Sequence, residues 1–348
     1  MNVVRDGFGF TSAGEPVDRY TVDNGVVRLQ AITYGGIITS LVVPDRTGQR
    51  DDIALGFDSL HEYERASPYF GAIVGRYANR LAHGRFRVDQ VTHQVATNEG
   101  AHHLHGGRRG FDKRMWEAQV RETDDGTAVV FSRVSVAGEE GYPGTLAVRV
   151  IYTISAHQLR IEYRATTSAP TIVNLTQHTY FDLSAGVSAT IDDHILMIAG
   201  KRFTAVDGEL IPTGAIAPVA GTPLDFRTPQ RIGARIGADD PQLRHGGGYD
   251  HNWVLDDLAG GAPAATVFDP QSGRTLTIHT TEPGLQFYSG NRLSVPRGKS
   301  GRAYPRRSGF CLETQHFPDS PSHPHFPSTV LRPGQTFRSQ TTWTFGCQ

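Results

Sequence analysis

The feature that most constrains the fold is a succession of short runs of β-branched and aromatic residues, each followed by a turn signal. The runs occupy residues 26–32, 37–43, 86–88, 91–95, 128–136, 146–154, 159–166 and 276–281. The sequences Asp124-Asp125-Gly126 and Ser155-Ala156-His157 fall where hairpins between neighbouring runs would close. Helical periodicity is scarce, and the short candidates are residues 60–65 and 229–236. The pattern therefore predicts an all-β sandwich or barrel.

The length of 348 residues allows a large core and, taken alone, would suggest two domains. However, the 39 glycines and 20 prolines are scattered along the chain rather than concentrated in a linker. Neither a break in composition nor a repeat of fixed period stands out in the sequence. A single large β domain covering residues 1–348 is therefore the prediction.

The charge balance and the cysteines exclude several classes of function. Lys+Arg (34) nearly equal Asp+Glu (35) and no basic run occurs, which gives no support for nucleic-acid binding. No apolar run approaches membrane-spanning length, and residues 1–11 lack the hydrophobic segment of a signal peptide. Cys311 and Cys347 lie outside metal-binding spacings, and a disulfide between them is conceivable. Reduced cysteines in a cytoplasmic protein are the preferred interpretation.

A strand pattern near the C-terminus, Phe310-Cys311-Leu312-Glu313-Thr314-Gln315, gives the first indication of chemistry. With a period of two, Glu313 shares a face with Cys311, while Phe310 and Leu312 lie on the other face. A carboxylate in an apolar strand is costly to bury unless neighbouring groups require it. An ion-paired or solvated carboxylate is one interpretation of Glu313, and a general base with partners elsewhere in the chain is the other.

Five further stretches carry more polar chemistry than a β core needs. They are residues 75–80, 102–107, 174–181, 248–253 and 281–288. Taken singly, each is explained by a solvated turn or by a hydrogen-bonded histidine. His102, His103 and His105 suggest a metal site, but no acidic or cysteine ligand follows at a typical spacing. Together the stretches supply a carboxylate base, histidine acids, amide and guanidinium donors and aromatic faces, an inventory that suits a neutral polyhydroxylated ligand such as a sugar.

Six motifs, in consistent order over nearly the whole chain, resemble those of the aldose 1-epimerases, or mutarotases. They are Gly75-Arg76-Tyr77-Ala78-Asn79-Arg80, Leu104-His105-Gly106-Gly107, residues 174–183, Tyr249-Asp250-His251-Asn252, Glu282-Pro283-Gly284-Leu285-Gln286 and residues 310–315. The resemblance implies a large β-sandwich of mostly antiparallel strands with a sugar site in an open cleft. It also implies that neither a metal nor an organic cofactor takes part.

The same resemblance assigns roles to individual residues. Glu313 is implied as the general base, His178 as the general acid and His105 as a second donor near the sugar ring. Four residues are implied to position the substrate: Asn79, Arg80, Asp250 and Gln286. The implied activity is interconversion of the α and β anomers of free aldohexoses through ring opening and reclosure. A monomer or weak homodimer is expected, acting on a small aldose such as galactose or glucose; the sequence does not specify which aldose.

Three alternatives stay open at this point. A glycoside hydrolase would use Glu313 and Asp250 as its carboxylate pair. A sugar-binding module without catalysis would need the same amides and aromatic rings. A sugar-phosphate epimerase of related fold would need extra basic residues in the cleft, a requirement that the presence of Arg76 and Arg80 does not settle. The proline-rich segment 316–327 is predicted to be a stiff surface loop near Glu313, packed against the protein or, alternatively, gating the cleft.

Overall fold

The computed structural model describes residues 1–255 and 261–348 of the chain. Within these ranges the α-helices are α1 (Leu60–Ala66) and α2 (Pro241–Gly246). Short 3-10 helices lie at Ala82–Gly84, Phe111–Lys113, Glu139–Gly141, Ile232–Ala234, Lys299–Gly301 and Ser320–Ser322. None of the helices in the described ranges is long and apolar enough to cross a membrane.

Strands make up most of the ordered structure. The strands of the first half are β1 (Asn2–Phe10), β2 (Pro16–Asp23), β3 (Arg28–Ile32), β4 (Ile38–Pro44), β5 (Arg50–Asp52), β6 (Ala72–Val74), β7 (Arg80–Leu81), β8 (Arg85–Val88), β9 (Val91–Gln94), β10 (His103–Leu104), β11 (Glu117–Thr123), β12 (Gly126–Ser135), β13 (Leu146–Ser155) and β14 (Gln158–Thr167). Those of the second half are β15 (Thr171–Ile172), β16 (Thr176–His178), β17 (Ile195–Ile198), β18 (Arg202–Val206), β19 (Pro212–Pro218), β20 (Gln230–Arg231), β21 (Asp250–Val254), β22 (Ala265–Phe268), β23 (Arg274–Thr280), β24 (Gly284–Tyr288), β25 (Cys311–Gln315), β26 (Val330–Leu331) and β27 (Phe337–Cys347).

Three sheets dominate the architecture. The largest has nine strands in the order β11-β12-β13-β14-β27-β23-β22-β17-β20. Two five-stranded sheets have the orders β1-β2-β3-β4-β5 and β19-β18-β21-β24-β25. Four two-stranded sheets join β7 to β10, β8 to β9, β6 to β16 and β15 to β26. The named strands pair antiparallel, for example β13 with β14 and β24 with β25, which confirms the predicted all-β class.

One large apolar cluster connects the three main sheets. It combines inward-facing side chains of the first five-stranded sheet (Tyr20, Leu29, Leu41), the nine-stranded sheet (Phe131, Tyr152, Trp343) and the second five-stranded sheet (Trp253, Leu285, Phe287). Because a sheet that is apolar on one face must bury that face against another layer, the nine-stranded sheet packs on both smaller sheets as a sandwich. The second five-stranded sheet carries three of the site residues described below, Asp250, Gln286 and Glu313, and the others approach from strands β7 and β16 and from a loop.

The predicted short elements are only partly confirmed. Helix α1 lies where residues 60–65 predicted it, and both cysteines are free, so the conceivable disulfide is absent. The helix predicted at 229–236 is wrong, because Gln230–Arg231 pairs with β17 and leaves room for a single 3-10 turn. Helix α2 was missed, although Asp240 caps its N-terminus with a side chain that accepts two backbone N–H bonds.

Candidate active site

Three neighbouring strands, β21, β24 and β25, carry the polar floor of the candidate site. Gln286 is the register partner of Asn252 on one side and of Glu313 on the other, and Asp250 pairs with Tyr288. Directly opposed residues of neighbouring strands share a face, as do alternate residues along one strand. Asp250, Gln286 and Glu313 therefore project from the same face of the sheet.

Strand β16 brings His178 to Glu313. Its Thr176 hydroxyl donates to the Thr314 carbonyl of β25 at 2.9 Å, which fixes β16 beside that strand. His178 Nδ1 contacts the thiol of Cys311 at 3.5 Å, so Nε2 faces the carboxylate. The distance from His178 Nε2 to Glu313 Oε2 is 3.7 Å, and the two side chains are 5% and 3% exposed. Among the described residues Glu313 Oε2 has no hydrogen-bond partner.

His105 approaches His178 from a separate loop. Its backbone has a positive φ of 51°, and its Nδ1 accepts the backbone N–H of Asn79 at 3.2 Å. The His105 ring packs edge-on against the ring of His178 with centroids 5.1 Å apart. Hydrogen bonding at Nδ1 thus fixes the orientation of the ring and leaves Nε2 available to a ligand.

Asn79 and Arg80 approach from β7 and the residue before it. Arg80 donates from Nε and Nη2 to the carboxylate of Glu99, at 2.7 and 3.0 Å, while Nη1 lies 3.9 Å from Asp250 Oδ2. Asn79 accepts the backbone N–H of Arg80 through its side-chain oxygen at 2.8 Å. This leaves the Asn79 amide NH₂ and Arg80 Nη1 as donors near the carboxylates.

These groups surround a cavity of ≈170 Å³. Six of the seven residues proposed from the sequence line it: Asn79, Arg80, His105, His178, Asp250 and Glu313. Gln286 does not line the cavity; its amide donates to Asp250 Oδ1 at 2.7 Å, so it holds that carboxylate from behind. A larger groove of ≈610 Å³ on the nine-stranded sheet is lined by none of the proposed residues.

Several residues of the cavity were missed in the sequence. They are Pro68, Tyr69, Glu99, Leu104, Tyr180, Tyr288 and Arg292. Tyr180 stacks on His178 with ring centroids 5.1 Å apart, and Tyr69 packs against both His105 and His178 at 4.6 and 5.7 Å. Tyr180 and Tyr288 lie inside polar stretches that the sequence did single out, whereas Tyr69 and Glu99 carry no local signal.

Burial determines which protonation states of Glu313 and His178 are favoured. It raises the pKa of Glu313 well above its usual value, and the nearby Asp250 carboxylate adds to this while Arg80 opposes it. Burial lowers the pKa of His178 to about 4. In the protein without ligand, burial therefore favours the neutral form of both groups, a protonated carboxyl beside a neutral imidazole. This order is the reverse of the ordinary one, in which the carboxylate titrates below the imidazole.

Arg80 stays charged although it is buried. Burial disfavours its charge, but the carboxylates of Asp250 and Glu99 outweigh this effect and raise the pKa of the guanidinium. Burial also raises the pKa of Asp250, with Arg80 opposing and Glu99 reinforcing that rise. The cavity therefore offers one firmly cationic donor group beside carboxyl groups that hold their protons more tightly than usual.

The histidine-rich stretch does not form a metal centre of its own. Both nitrogens of His103 are occupied, by the Ala96 carbonyl and the Tyr142 hydroxyl, each at 2.6 Å. His102 Nδ1 accepts the backbone N–H of His83 at 3.0 Å. In residues 1–255 and 261–348, one group could hold a metal ion, namely His105, His178 and Glu313, whose ligand atoms lie within 4.8 Å of one another. Two imidazoles and a carboxylate at this spacing are equally the groups of acid/base catalysis.

Arg76, the other arginine of the motif at residues 75–80, has a structural role. Its guanidinium donates to the hydroxyl and carbonyl of Ser135, both at 2.7 Å, and to the carbonyls of Val136 at 2.7 Å and Gly144 at 2.8 Å. Because these acceptors occupy its donors, Arg76 is not available to a ligand. The extra basic residue that a sugar-phosphate substrate would need is thus not supplied by this side chain.

The segment 316–327 packs against the protein behind the site. The Asp319 N–H donates to the carbonyl of Arg80 at 2.9 Å, and the Ser320 N–H donates to the Tyr77 hydroxyl at 3.1 Å. Phe317 and Phe326 are buried in an apolar cluster of their own. These contacts fit the interpretation of the segment as a packed loop, and they hold it against β7.

Fold and site together define a β-sandwich with a buried carboxylate–imidazole pair at the end of a small polar cavity. Residues 18–344 match the family model described as aldose 1-epimerase. The chain is 45% identical to galactose mutarotase of Rattus norvegicus over 345 residues (99% of this chain, 98% of the relative). It is 36% identical to aldose 1-epimerase of Escherichia coli K12 over 338 residues (95% and 96%).

Solved structures agree with this relationship. Galactose 1-epimerase from Lactobacillus acidophilus superposes with a TM-score of 0.87 at 25% identity, covering 100% of this chain and 99% of that one. An aldose epimerase homologue from C. elegans gives a TM-score of 0.85 at 29% identity, covering 94% and 97%. The chain therefore belongs to the aldose 1-epimerase family.

Proposed function

We propose that this protein is an aldose 1-epimerase that interconverts the α and β anomers of free aldohexoses. The observation that carries the proposal is the approach of His178 Nε2 to Glu313 Oε2, 3.7 Å apart in a ≈170 Å³ cavity. Ring opening needs one group to take the proton of the anomeric hydroxyl and another to protonate the ring oxygen. A carboxyl and an imidazole this close can serve the two oxygens of one hemiacetal.

In the proposed cycle Glu313 is the base and His178 is the acid. Reaction requires the carboxylate–imidazolium form of the pair, which differs from the form favoured by burial only in the position of one proton. Glu313 takes the proton of the anomeric hydroxyl while His178 protonates the ring oxygen, giving the open aldehyde. Rotation about the C1–C2 bond presents the other aldehyde face, and reclosure returns both protons. Each positioned proton transfer contributes ~10²–10⁴-fold.

The surrounding residues would hold the sugar in place. Arg80 Nη1 and the Asn79 amide can donate to hydroxyl oxygens, and Asp250 can accept from hydroxyl groups. His105, with its ring held through Nδ1, can donate from Nε2 near the ring oxygen. Tyr180 and Tyr69 supply apolar ring faces beside the imidazoles. Gln286 would act by holding Asp250 rather than by touching the sugar.

Galactose is the first substrate we propose, with glucose as the second, because the 45%-identical relative from Rattus norvegicus carries the name galactose mutarotase. The two sugars differ in the orientation of one hydroxyl, so the ratio of their kcat/KM values measures how well the cavity distinguishes them. We also propose that the protein works as a monomer or weak homodimer in the cytoplasm. Its two free cysteines agree with a reducing compartment.

Polarimetry with fresh α-D-galactose and α-D-glucose tests the function. The wild type is expected to speed the approach to the equilibrium rotation, and Glu313→Gln is expected to abolish the acceleration while the protein stays folded. Glu15→Gln, a change of the same chemistry at an exposed position, serves as the matched control and should retain full activity. No acceleration by the wild type with either sugar would overturn the proposal.

The alternatives give different results in companion assays. A sugar-binding module would bind galactose with equal affinity in the wild type and in Glu313→Gln, without turnover in either. A glycoside hydrolase would release reducing sugar from a galactoside or glucoside. Acceleration that survives in Glu313→Gln would keep the epimerase activity and remove Glu313 as its base.

A further inference from the structure

Glu99 holds Arg80 in a side-on fork. The carboxylate accepts from Arg80 Nε at 2.7 Å and from Nη2 at 3.0 Å, a bidentate geometry that fixes the plane of the guanidinium. The fork leaves Nη1 unused by Glu99, and this nitrogen lies 3.9 Å from Asp250 Oδ2 at the cavity. The Arg80 side chain is 7% exposed, so few other positions are open to it.

The loop that carries Glu99 is itself fixed. Glu99 and His102 exchange backbone N–H bonds of 3.1 and 2.9 Å, which close a tight turn. The preceding Asn98 accepts the backbone N–H of Leu104 at 2.8 Å and donates to its carbonyl at 2.9 Å. Leu104 is in turn the register partner of Arg80 between β10 and β7. Glu99, the acceptor of the ion pair, and Arg80, its donor, therefore lie on segments that these hydrogen bonds hold together.

Without Glu99, Asp250 would be the carboxylate within ion-pair distance of the guanidinium in residues 1–255 and 261–348, with Glu313 a weaker influence on its charge. A guanidinium freed from the fork can turn its Nε and Nη2 toward Asp250 and make there the bidentate pair that it now makes with Glu99. Such a pair would occupy the acceptor oxygens that a sugar hydroxyl needs. A second cation, Arg292, has its Nη1 3.8 Å from Glu99 Oε1, but its side chain is 67% exposed and cannot replace Arg80.

We propose that Glu99 is a positioning residue, which holds Arg80 away from Asp250 so that a donor and an acceptor remain open to the hydroxyl groups of the aldose. The inference rests on the proposed epimerase function only for the identity of the ligand. Glu99 contributes by keeping Arg80 Nη1 and Asp250 Oδ2 apart, and it takes no part in the proton transfers at His178 and Glu313.

Glu99→Ala tests the inference through the split between KM and kcat. The expected result is a rise of about tenfold in KM for galactose, equivalent to about 1.4 kcal/mol of lost binding. The kcat is expected to stay within about twofold, since the acid and the base are untouched. Glu99→Gln, which keeps one acceptor for the guanidinium, should fall between the wild type and Glu99→Ala. Exposed Glu117→Ala is the matched control and should leave both constants unchanged.

A double-mutant cycle separates positioning from a direct or purely structural role. In an Arg80→Ala background, Glu99→Ala is expected to cost nothing further, because its partner is already gone. Equal costs with and without Arg80 would overturn the inference, and so would an unchanged KM in Glu99→Ala.

A binding measurement keeps this test independent of turnover. The dissociation constant for galactose, measured by NMR titration, should rise by the same factor of about ten in Glu99→Ala. Failure of the proposed function would appear as wild-type binding without mutarotation, and the cycle could then be completed on dissociation constants alone. Thermal unfolding of each variant checks that a higher constant does not reflect a partly unfolded sample.

Discussion

His178 Nε2 lies 3.7 Å from Glu313 Oε2, and the two side chains are almost completely buried. Burial penalises charge on each of them, so the protein without ligand favours the form in which both are neutral and the carboxyl holds the proton. The pair therefore holds one proton at pH values between the lowered pKa of His178 and the raised pKa of Glu313. Ring opening and reclosure also conserve protons, because what the base takes and the acid gives is returned when the ring closes. A pair that holds one proton matches a reaction of this kind.

The first prediction is a bell-shaped pH dependence of kcat/KM for galactose, in which the acid limb lies at low pH. As the pH falls through about 4, the imidazole of His178 gains a proton while the carboxyl already holds one, and no base is left. As the pH rises above the raised pKa of Glu313, the pair loses its last proton and no acid is left. Polarimetric rates in overlapping buffers measure both limbs.

An acid limb near pH 6.5, the ordinary value for histidine, would contradict the prediction, because it would place the imidazole in a solvated environment. A flat profile would remove both groups from the chemistry. The variant His178→Gln serves as the internal reference. It should lose most of the rate at every pH and, without an imidazole, should also lose the limb near pH 4.

The second prediction concerns stability. The folded-state pKa of Glu313 is raised above the unfolded value of about 4.3. The free energy of unfolding of the wild type therefore decreases as the pH rises from about 4.3 to the folded-state pKa. Glu313→Gln cannot titrate and escapes this loss. At neutral pH the variant should therefore unfold at a higher urea concentration than the wild type, while its mutarotase activity is abolished.

The free energy of unfolding of Glu313→Gln is expected to exceed that of the wild type by about 1.4 kcal/mol for every tenfold difference between the folded and unfolded acid dissociation constants of the carboxyl. Urea unfolding at pH 4 and pH 7 measures it, and the gain should shrink toward zero at the lower pH. A variant that is less stable than the wild type at pH 7 would show that Glu313 is stabilised by its surroundings as an anion.

The third prediction uses the coupling between Asp250 and Glu313, two of the three carboxyl groups that line the cavity. The carboxylate of Asp250 adds to the rise in the pKa of Glu313, after burial itself. Asp250→Asn removes that charge, so the alkaline limb of the pH profile should move to lower pH. KM should rise as well, because an acceptor beside Arg80 is lost. Asp239→Asn, a change of the same type at a 94% exposed side chain, should leave both quantities unchanged.

The strand pattern predicted the fold class and many of the hairpins, because alternation of apolar residues is a local property of a half-buried strand. The hairpin between β13 and β14 closes at the predicted turn, and β12 and β25 occupy the predicted runs. The helix predicted at 229–236 failed for a non-local reason. There the Gly233 N–H donates to the Asp192 carbonyl at 2.8 Å, and Gln230 pairs with β17, contacts that no local pattern contains.

The sequence predicted those residues of the candidate site that lie within the polar motifs, and it did not predict the others. Six of seven proposed residues line the cavity, since each lies in a stretch whose polarity is unusual for a β core. Glu99 and Tyr69 were missed because a carboxylate in a turn and a tyrosine beside a proline look ordinary in isolation. Glu99 contacts Arg80, and Tyr69 contacts the imidazoles of His105 and His178, through the tertiary fold. The inverted order of the pKa values of Glu313 and His178 likewise depends on tertiary burial.

The fourth prediction concerns the glycine that follows His105. Gly106 has a φ of 89°, and a Cβ at this position would lie 1.8 Å from the carbonyl oxygen of Gly75, so the loop must move to accept alanine. Movement would displace His105 from its hydrogen bond with Asn79. Gly106→Ala should therefore lower kcat by at least about tenfold and destabilise the fold by about 1–3 kcal/mol, measured by polarimetry and urea unfolding.

Gly100→Ala separates this steric effect from the cost of a positive φ. Gly100 has a φ of 57° and no neighbouring atom within 4 Å of an added Cβ, so alanine there meets backbone strain alone. It should lower stability by about 1 kcal/mol and leave kcat unchanged. If Gly106→Ala had no larger effect on kcat than Gly100→Ala, the close approach of Gly106 to Gly75 would not be what holds His105 in place. Because Gly106 adjoins His105 in the chain, a loss confined to kcat with KM unchanged would place the damage at the proton transfer rather than in sugar binding.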